Sequence, residues 1–105
     1  AEGRILYREH VERERNHALI ARVKRKAQSQ GKLRCAVCGF DFAETYGSLG
    51  AGFIECHHLV PVSEYSETHG VRESDIVLVC CNCHRMLHRR RPWLSIDELS
   101  RLLAK

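Results

Sequence analysis

The chain is predicted to fold as an α+β protein: a small β-β-α core stapled by a four-cysteine structural zinc site, preceded by a long basic helix and followed by a short one. Three observations predict this. The pairs Cys35-Ala36-Val37-Cys38 and Cys80-Cys81-Asn82-Cys83 bracket the middle of the chain. A two-residue spacer lets one tight turn offer two sulfurs to a metal, and two such turns complete a tetrahedron. Between the pairs, Phe53–Val60 (closed by Pro61) and Ile76–Val79 read as strands. Residues from Cys81 to about Arg90 then read as a helix that stops before Pro92.

Taken in order, residues from about Glu2 to Ser29 form the first helix, which Gly31 ends. Its apolar positions, Ile5, Leu6, Val11, Ala18, Leu19, Ile20 and Val23, make a narrow stripe, so the helix lies on the surface or packs along one face. Arg8–Glu12 and Glu9–Arg13 are opposite-charge i,i+4 pairs worth about 0.2–0.5 kcal/mol each. Cys35–Gly39 reads as a metal knuckle, in which Gly39 frees the backbone to aim amides at the sulfurs. Asp41–Gly52, with Gly47, Gly50 and Gly52, reads as a loop. Ser63–Gly70 reads as a turn or a short helical piece. Ser95-Ile96-Asp97-Glu98 fits a capping box, and Leu99, Leu102 and Leu103 supply the apolar stripe of the last helix. One domain is expected over 1–105, with the basic helix at 1–30, the zinc-stapled core at 35–92 and the last helix at 95–104. A domain of this size buries a thin core, for which a metal staple matters most.

The net charge of +4 is unevenly spread: residues 1–34 hold ten Lys/Arg against four Glu, and residues 35–105 hold seven against nine acids. Arg22, Lys24, Arg25, Lys26, Lys32 and Arg34 follow one another with no acid between them. Arg85, Arg89, Arg90 and Arg91 form a second cluster. Two basic clusters suit a phosphate backbone, although a run of like charge is also simply a solvated face. No apolar stretch approaches the ~20 residues needed to cross a bilayer. The charged start of the chain shows no secretory leader, and a cytoplasmic location is expected. The chain opens on Ala1 rather than Met, which suits a piece of a longer protein.

Six cysteines in a secreted chain would suggest disulfides, but C-x-x-C pairs without secretory marks read as zinc ligands. Cys35, Cys38, Cys80 and Cys83 would leave no open coordination position, so that zinc is structural. A redox pair would open a helix in a thioredoxin-like pattern that is missing here. Cys56 and Cys81 adjoin ligand positions and read as small apolar fillers. His84 and His88 share one helix face, with Cβ atoms ~5–6 Å apart, which suits one ion held by two imidazoles. Neighbours in a strand point to opposite faces, so His57 and His58 serve one site only where the strand ends or twists. One imidazole then binds metal while the other stays free as a base, its ordinary pKa of ~6.5 well placed to take a proton from water. His10, His17 and His69 read as surface residues.

Glu55-Cys56-His57-His58-Leu59-Val60-Pro61, followed by Asp75-Ile76-Val77-Leu78-Val79-Cys80-Cys81-Asn82-Cys83-His84-Arg85-Met86-Leu87-His88, resembles the HNH endonucleases. It is most similar to their zinc-containing subgroup from modification-dependent restriction systems, over roughly Cys35 to Pro92. The resemblance implies the ββα-metal finger fold and a metal-dependent DNA endonuclease. It implies that His58 is the general base, that His57 and His84 hold a catalytic divalent ion (Mg²⁺, Mn²⁺, Ni²⁺ or Zn²⁺), and that His88 is an auxiliary ligand. The family's middle Asn falls on Asp75, nine residues before His84. Asp accepts the same loop-bracing hydrogen bonds, and as an anion it is also a candidate ligand. Asn82 is the other candidate for that Asn, inside the second C-x-x-C turn.

In the implied mechanism the ion contacts a non-bridging phosphate oxygen and the leaving 3′ oxygen while His58 deprotonates the attacking water. The products would carry 5′-phosphate and 3′-hydroxyl ends. Arg85, Arg89, Arg90 and Arg91, with Arg22, Lys24, Arg25 and Lys26, would meet double-stranded DNA through its phosphates, contacts that position a protein without reading sequence. A reader domain for modified bases is therefore expected upstream, and a homodimer for a two-strand cut. The rival reading is a non-catalytic zinc-stabilised DNA-binding module, which has no use for a second imidazole at position 58. A protein–protein zinc adaptor is a third, and the basic surface argues against it.

Overall fold

The computed structural model describes residues 17–31, 33–60 and 71–103. The first sixteen residues, with their ion pairs and His10, lie outside the described residues, as do Lys32, Pro61, the Ser63–Gly70 piece with His69, and the last two residues. Helix α1 is described over residues 17–29. Leu19 is buried and Ile20, Val23, Lys24 and Ala27 are half-buried, while Arg22, Arg25 and Lys26 face solvent. Of the expected stripe, Leu19, Ile20 and Val23 pack, Ala18 is exposed, and Ile5, Leu6 and Val11 lie outside the described residues.

Two strands follow, β1 (Glu55–His58) and β2 (Ile76–Val79), paired antiparallel with Glu55 opposite Val79 and His58 opposite Ile76. The second strand has the expected bounds; the first is shorter than Phe53–Val60. Residues directly opposite share a face. Glu55, His57, Val77 and Val79 therefore lie on one face, and Cys56, His58, Ile76 and Leu78 on the other. Helix α3 (Cys81–Leu87) packs on the first face. Its N-cap Cys80 accepts the Cys83 amide on its sulfur. The helix ends at Leu87 rather than near Arg90, because His88 leaves helical geometry (φ −91°, ψ 5°). The Leu94 amide then donates to the Leu87 carbonyl at 3.1 Å, which turns the chain back.

The Asp41–Gly52 stretch is not a plain loop. It contains helix α2 (Phe42–Tyr46) and a 3₁₀ turn, Gly47–Gly50. Asp41 Oδ1 caps α2 by accepting the Ala43 and Glu44 amides at 2.9 and 3.2 Å. The Phe42 ring packs edge-on against Phe40 and Phe53, with centroids 4.8 and 4.7 Å apart. A Cβ on Gly50 would collide with the Phe42 carbonyl, so this turn requires glycine. Helix α4 (Ile96–Leu103) carries the expected capping box: Glu98 N donates to Ser95 Oγ at 3.1 Å and Ser95 N to Glu98 Oε1 at 3.0 Å. Its apolar stripe is shorter than expected. Leu99 is buried, but Leu102 and Leu103 are 55% and 53% exposed, since the core takes in Leu94, Ile96 and Leu99 and extends no further.

That core consists of Cys35, Val79, Cys80, Cys83, Leu87 and Leu99. Half of its members belong to the C-x-x-C pairs, so hydrophobic packing is organised around the thiols. The mixed helix–sheet architecture and the thiol staple are those expected from the sequence.

Candidate metal centres and active site

The sulfurs of Cys35, Cys38, Cys80 and Cys83 all lie within 4.8 Å of one another. Cys38 and Cys80 sulfurs are 3.7 Å apart. Thiolates ~2.3 Å from one zinc at tetrahedral angles stand about 3.8 Å apart, so this edge already has the length of a filled cage. All four are free thiols. The Val37 and Cys38 amides point at the Cys35 sulfur at 3.4 and 3.5 Å, and the Cys83 amide at the Cys80 sulfur at 3.4 Å. Burial pushes the Cys35 thiol up, but hydrogen bonds from the amides of Cys38, Cys80 and Val37 outweigh it and bring it to about 7. Burial, then bonding to Cys80 and Cys35, raises Cys83. Four soft donors with inward amides and no open position fit a structural zinc ion, which would displace the thiol protons.

A second cluster stands on the α3 face of the sheet. His57, 2% exposed on β1, meets His84 on α3 and His88 at its C-cap. Their ring nitrogens lie within 4.8 Å of one another, with His57 Nδ1 and His88 Nε2 3.2 Å apart. Nitrogens ~2.1 Å from one ion stand about 3.0 Å apart at octahedral and 3.4 Å at tetrahedral angles, so this spacing fits shared coordination. Burial above all, then the neighbouring His88, His84 and His58, holds His57 down at about 4. Burial and His84 also lower His88. Held at about 4, His57 is neutral at pH 7, with a lone pair available. Three imidazoles leave coordination positions open, as catalytic rather than structural sites do.

Two participants escaped the sequence reading. His84 Nδ1–H donates to Glu55 Oε1 at 2.8 Å, which lowers Glu55 and leaves His84 Nε2 as the nitrogen available to an ion. The available signal was spacing: Glu55 sits two residues before His57, hence on the same strand face. Trp93 packs its ring on His88 and His57, with centroids 4.2 and 5.3 Å apart. Glu55→Ala is expected to weaken binding of an added divalent ion about 10- to 100-fold. Glu55→Gln, which keeps an acceptor, should lose less. Calorimetric titration of Ni²⁺ into zinc-loaded protein checks this; unchanged affinity in the alanine variant contradicts it.

His58 ends β1 on the opposite face and is not a member of the imidazole triad. Burial first, then His84, lowers its pKa, with Asp75 pulling the other way. Among the described residues its Nε2 is buried without a hydrogen-bond partner. A neutral ring with one nitrogen uncommitted is chemically able to accept a proton. Asp75 Oδ2 accepts the Arg72 amide at 2.9 Å, and the Asp75 carbonyl accepts the Leu59 amide at 2.8 Å. Asp75 thus fastens the chain just beyond His58 to the start of β2. Among the described residues no carboxylate joins the triad. Asn82 is exposed inside the C-x-x-C turn.

The sequence profile of HNH endonucleases matches residues 35–90, more than half of the chain. The chain belongs to the HNH endonuclease family. No curated protein and no solved structure matches it. The matched span of this HNH domain contains both clusters, His58, Asp75, Arg85, Arg89 and Arg90. HNH domains generally bind DNA, and Arg85, Arg89, Arg90 and Arg91 are all exposed around the C-terminal end of α3. Arg90 is engaged by Glu98 at 2.8 Å and Arg22 by Glu73 at 3.8 Å. Exposed pairs of this kind contribute about 0–1 kcal/mol and exchange readily for phosphate. Arg25 and Lys26 are open to solvent on α1, whereas Lys24 is half-buried. No described helix is long and apolar enough to cross a membrane.

Proposed function

We propose that this HNH domain is a metal-dependent endonuclease that hydrolyses phosphodiester bonds in double-stranded DNA. The observation that carries the reading is the convergence of His57, His84 and His88, which the thiol cage does not need and which leaves coordination positions open. A bound divalent ion (Mg²⁺, Mn²⁺, Ni²⁺ or Zn²⁺) supplies charge stabilisation at the phosphate and the leaving 3′ oxygen. His57 and His84 would hold that ion with His88 assisting, and Glu55 would orient His84 through its hydrogen bond. His58 takes the proton of the water that attacks phosphorus, the P–O3′ bond breaks as the bond to water forms, and the departing 3′ oxygen is protonated from solvent, which leaves 5′-phosphate and 3′-hydroxyl ends. Asp75 keeps the strand end that carries His58 in place. Arg85, Arg89, Arg90 and Arg91 neutralise flanking phosphates near the site, and Arg22, Lys24, Arg25 and Lys26 do so along α1.

The resemblance supports placing the domain, residues 1–105, in a cytoplasmic restriction system whose modified-base reader is a separate domain. Cutting both strands requires two sites, for which a homodimer is the proposed form, testable by sedimentation. Incubating supercoiled plasmid with zinc-loaded protein, with and without Mg²⁺ or Mn²⁺, tests the activity. Nicked circles are expected only with added ion. Plasmid that is bound but stays supercoiled in every ion would favour the non-catalytic DNA-binding module.

The pH profile gives a further check. His58 must be neutral to act, and burial holds it below its ordinary value of ~6.5. The cleavage rate at saturating metal should therefore fall along an acid limb centred below pH ~6.5. An acid limb centred at or above 6.5 contradicts the assignment.

A further inference from the structure

A groove of about 520 Å³ opens beside the imidazole triad. Val77 on β2 and Leu59 just beyond β1 line it on one side, Trp93 and Leu94 from the segment that joins α3 to α4 and Asp97 from the first turn of α4 line it on the other, and His57 belongs to both groove and triad. Its volume is that of a small-molecule site (~300–1,000 Å³). Its chemistry is selective. Among the described residues no Lys or Arg lines it, and the one carboxylate among them, on Asp97, repels phosphate. Apolar walls, a half-buried indole and a carboxylate acceptor instead match a flat, uncharged ring that carries an N–H donor.

We infer that this groove binds one unpaired nucleobase of the DNA strand whose phosphate lies at the triad. The choice of polymer rests on the nuclease reading above. Because His57 borders both sites, one nucleotide can reach the triad with its phosphate and the groove with its base. Trp93 stacks on the ring, as aromatic side chains do with single-stranded bases. Asp97 accepts the exocyclic amine of cytosine or adenine. A paired base inside a duplex cannot enter, so the preferred substrate carries an unpaired or extruded nucleotide beside the cleaved bond.

Trp93 is the chain's one tryptophan, so its emission reports on this groove. The test uses zinc-loaded protein and two strands of equal charge, a deoxycytidine hexamer and a hexamer of abasic sites. The base-bearing strand is expected to quench Trp93 and to bind roughly tenfold more tightly, as measured by anisotropy of a labelled strand. Trp93→Ala should erase the difference, while Trp93→Phe, which keeps a ring, should retain it; zinc content and melting curves confirm that both variants fold. A thymidine hexamer should bind less tightly than the deoxycytidine one, and Asp97→Ala should level the two. If both hexamers bind alike with unchanged emission while the plasmid is still nicked, the groove takes something other than a base, such as an apolar protein segment, and the inference falls while the nuclease reading stands. If neither strand binds and the plasmid stays intact, the nuclease reading falls and takes this inference with it.

Discussion

Cys83→Ala is expected to yield protein without zinc and without a cooperative melting transition. The reason lies in the composition of the core. Cys35, Cys80 and Cys83 make up half of its buried members, and Val79 and Leu87 are its largest fully buried side chains. Burying an aliphatic side chain contributes about 1.5–3 kcal/mol, whereas a structural zinc ion contributes about 10–16 kcal/mol to folding. The apolar part alone cannot balance the chain entropy that folding costs. Cys83 is also buried in the first turn of α3, directly before His84. Its loss would release the helix that carries two of the three triad imidazoles. Cys81→Ala is the matched control: Cys81 lies outside the cage and should keep its zinc and its melting curve. Metal analysis and far-UV circular dichroism read both outcomes. A soluble Cys83→Ala protein that melts cooperatively would show the cage to be dispensable.

Features set by spacing along the chain were legible in the sequence. The two C-x-x-C turns, the Ile76–Val79 strand and the Ser95–Glu98 capping box depend on residues a few positions apart, and each stands where its pattern placed it. His84 and His88 come together as their spacing implied, although His88 stands at the C-cap, just outside α3. Features set by contacts between distant segments were not legible. Helix α2 is too short to form on propensity alone. It exists because Asp41 caps it and Phe40 and Phe53 enclose Phe42, and the glycines that follow disguised it as a loop. Helix α3 stops early because the Leu94 amide reaches back to Leu87. Trp93 comes to the histidines only through that reversal. Glu55 meets His84 only because β1 lies under α3. The alternation of His57 and His58 was foreseen, but which ring joins His84 and His88 depends on the face that α3 covers, and pairing of the strands alone does not settle that.

His58→Ala is expected to lose cleavage by about 10²- to 10⁴-fold, the usual contribution of a positioned general base, with zinc content, melting temperature and DNA affinity kept. Its effect should differ in kind from that of His57→Ala. His57 is 2% exposed within the triad, so removing it should lower both the affinity for the added divalent ion and the cleavage rate. His58 stands outside the triad, with a lowered pKa and a buried nitrogen that has no partner among the described residues. Its removal should leave calorimetric Ni²⁺ binding unchanged and act on the chemical step alone. Raising the metal concentration should therefore restore part of the activity of His57→Ala and none of that of His58→Ala. Added imidazole, a small base with the same ring, should recover some cleavage in His58→Ala only. Wild-type cleavage by His58→Ala would remove this residue from the mechanism; loss of Ni²⁺ binding in the same variant would move it from base to ligand.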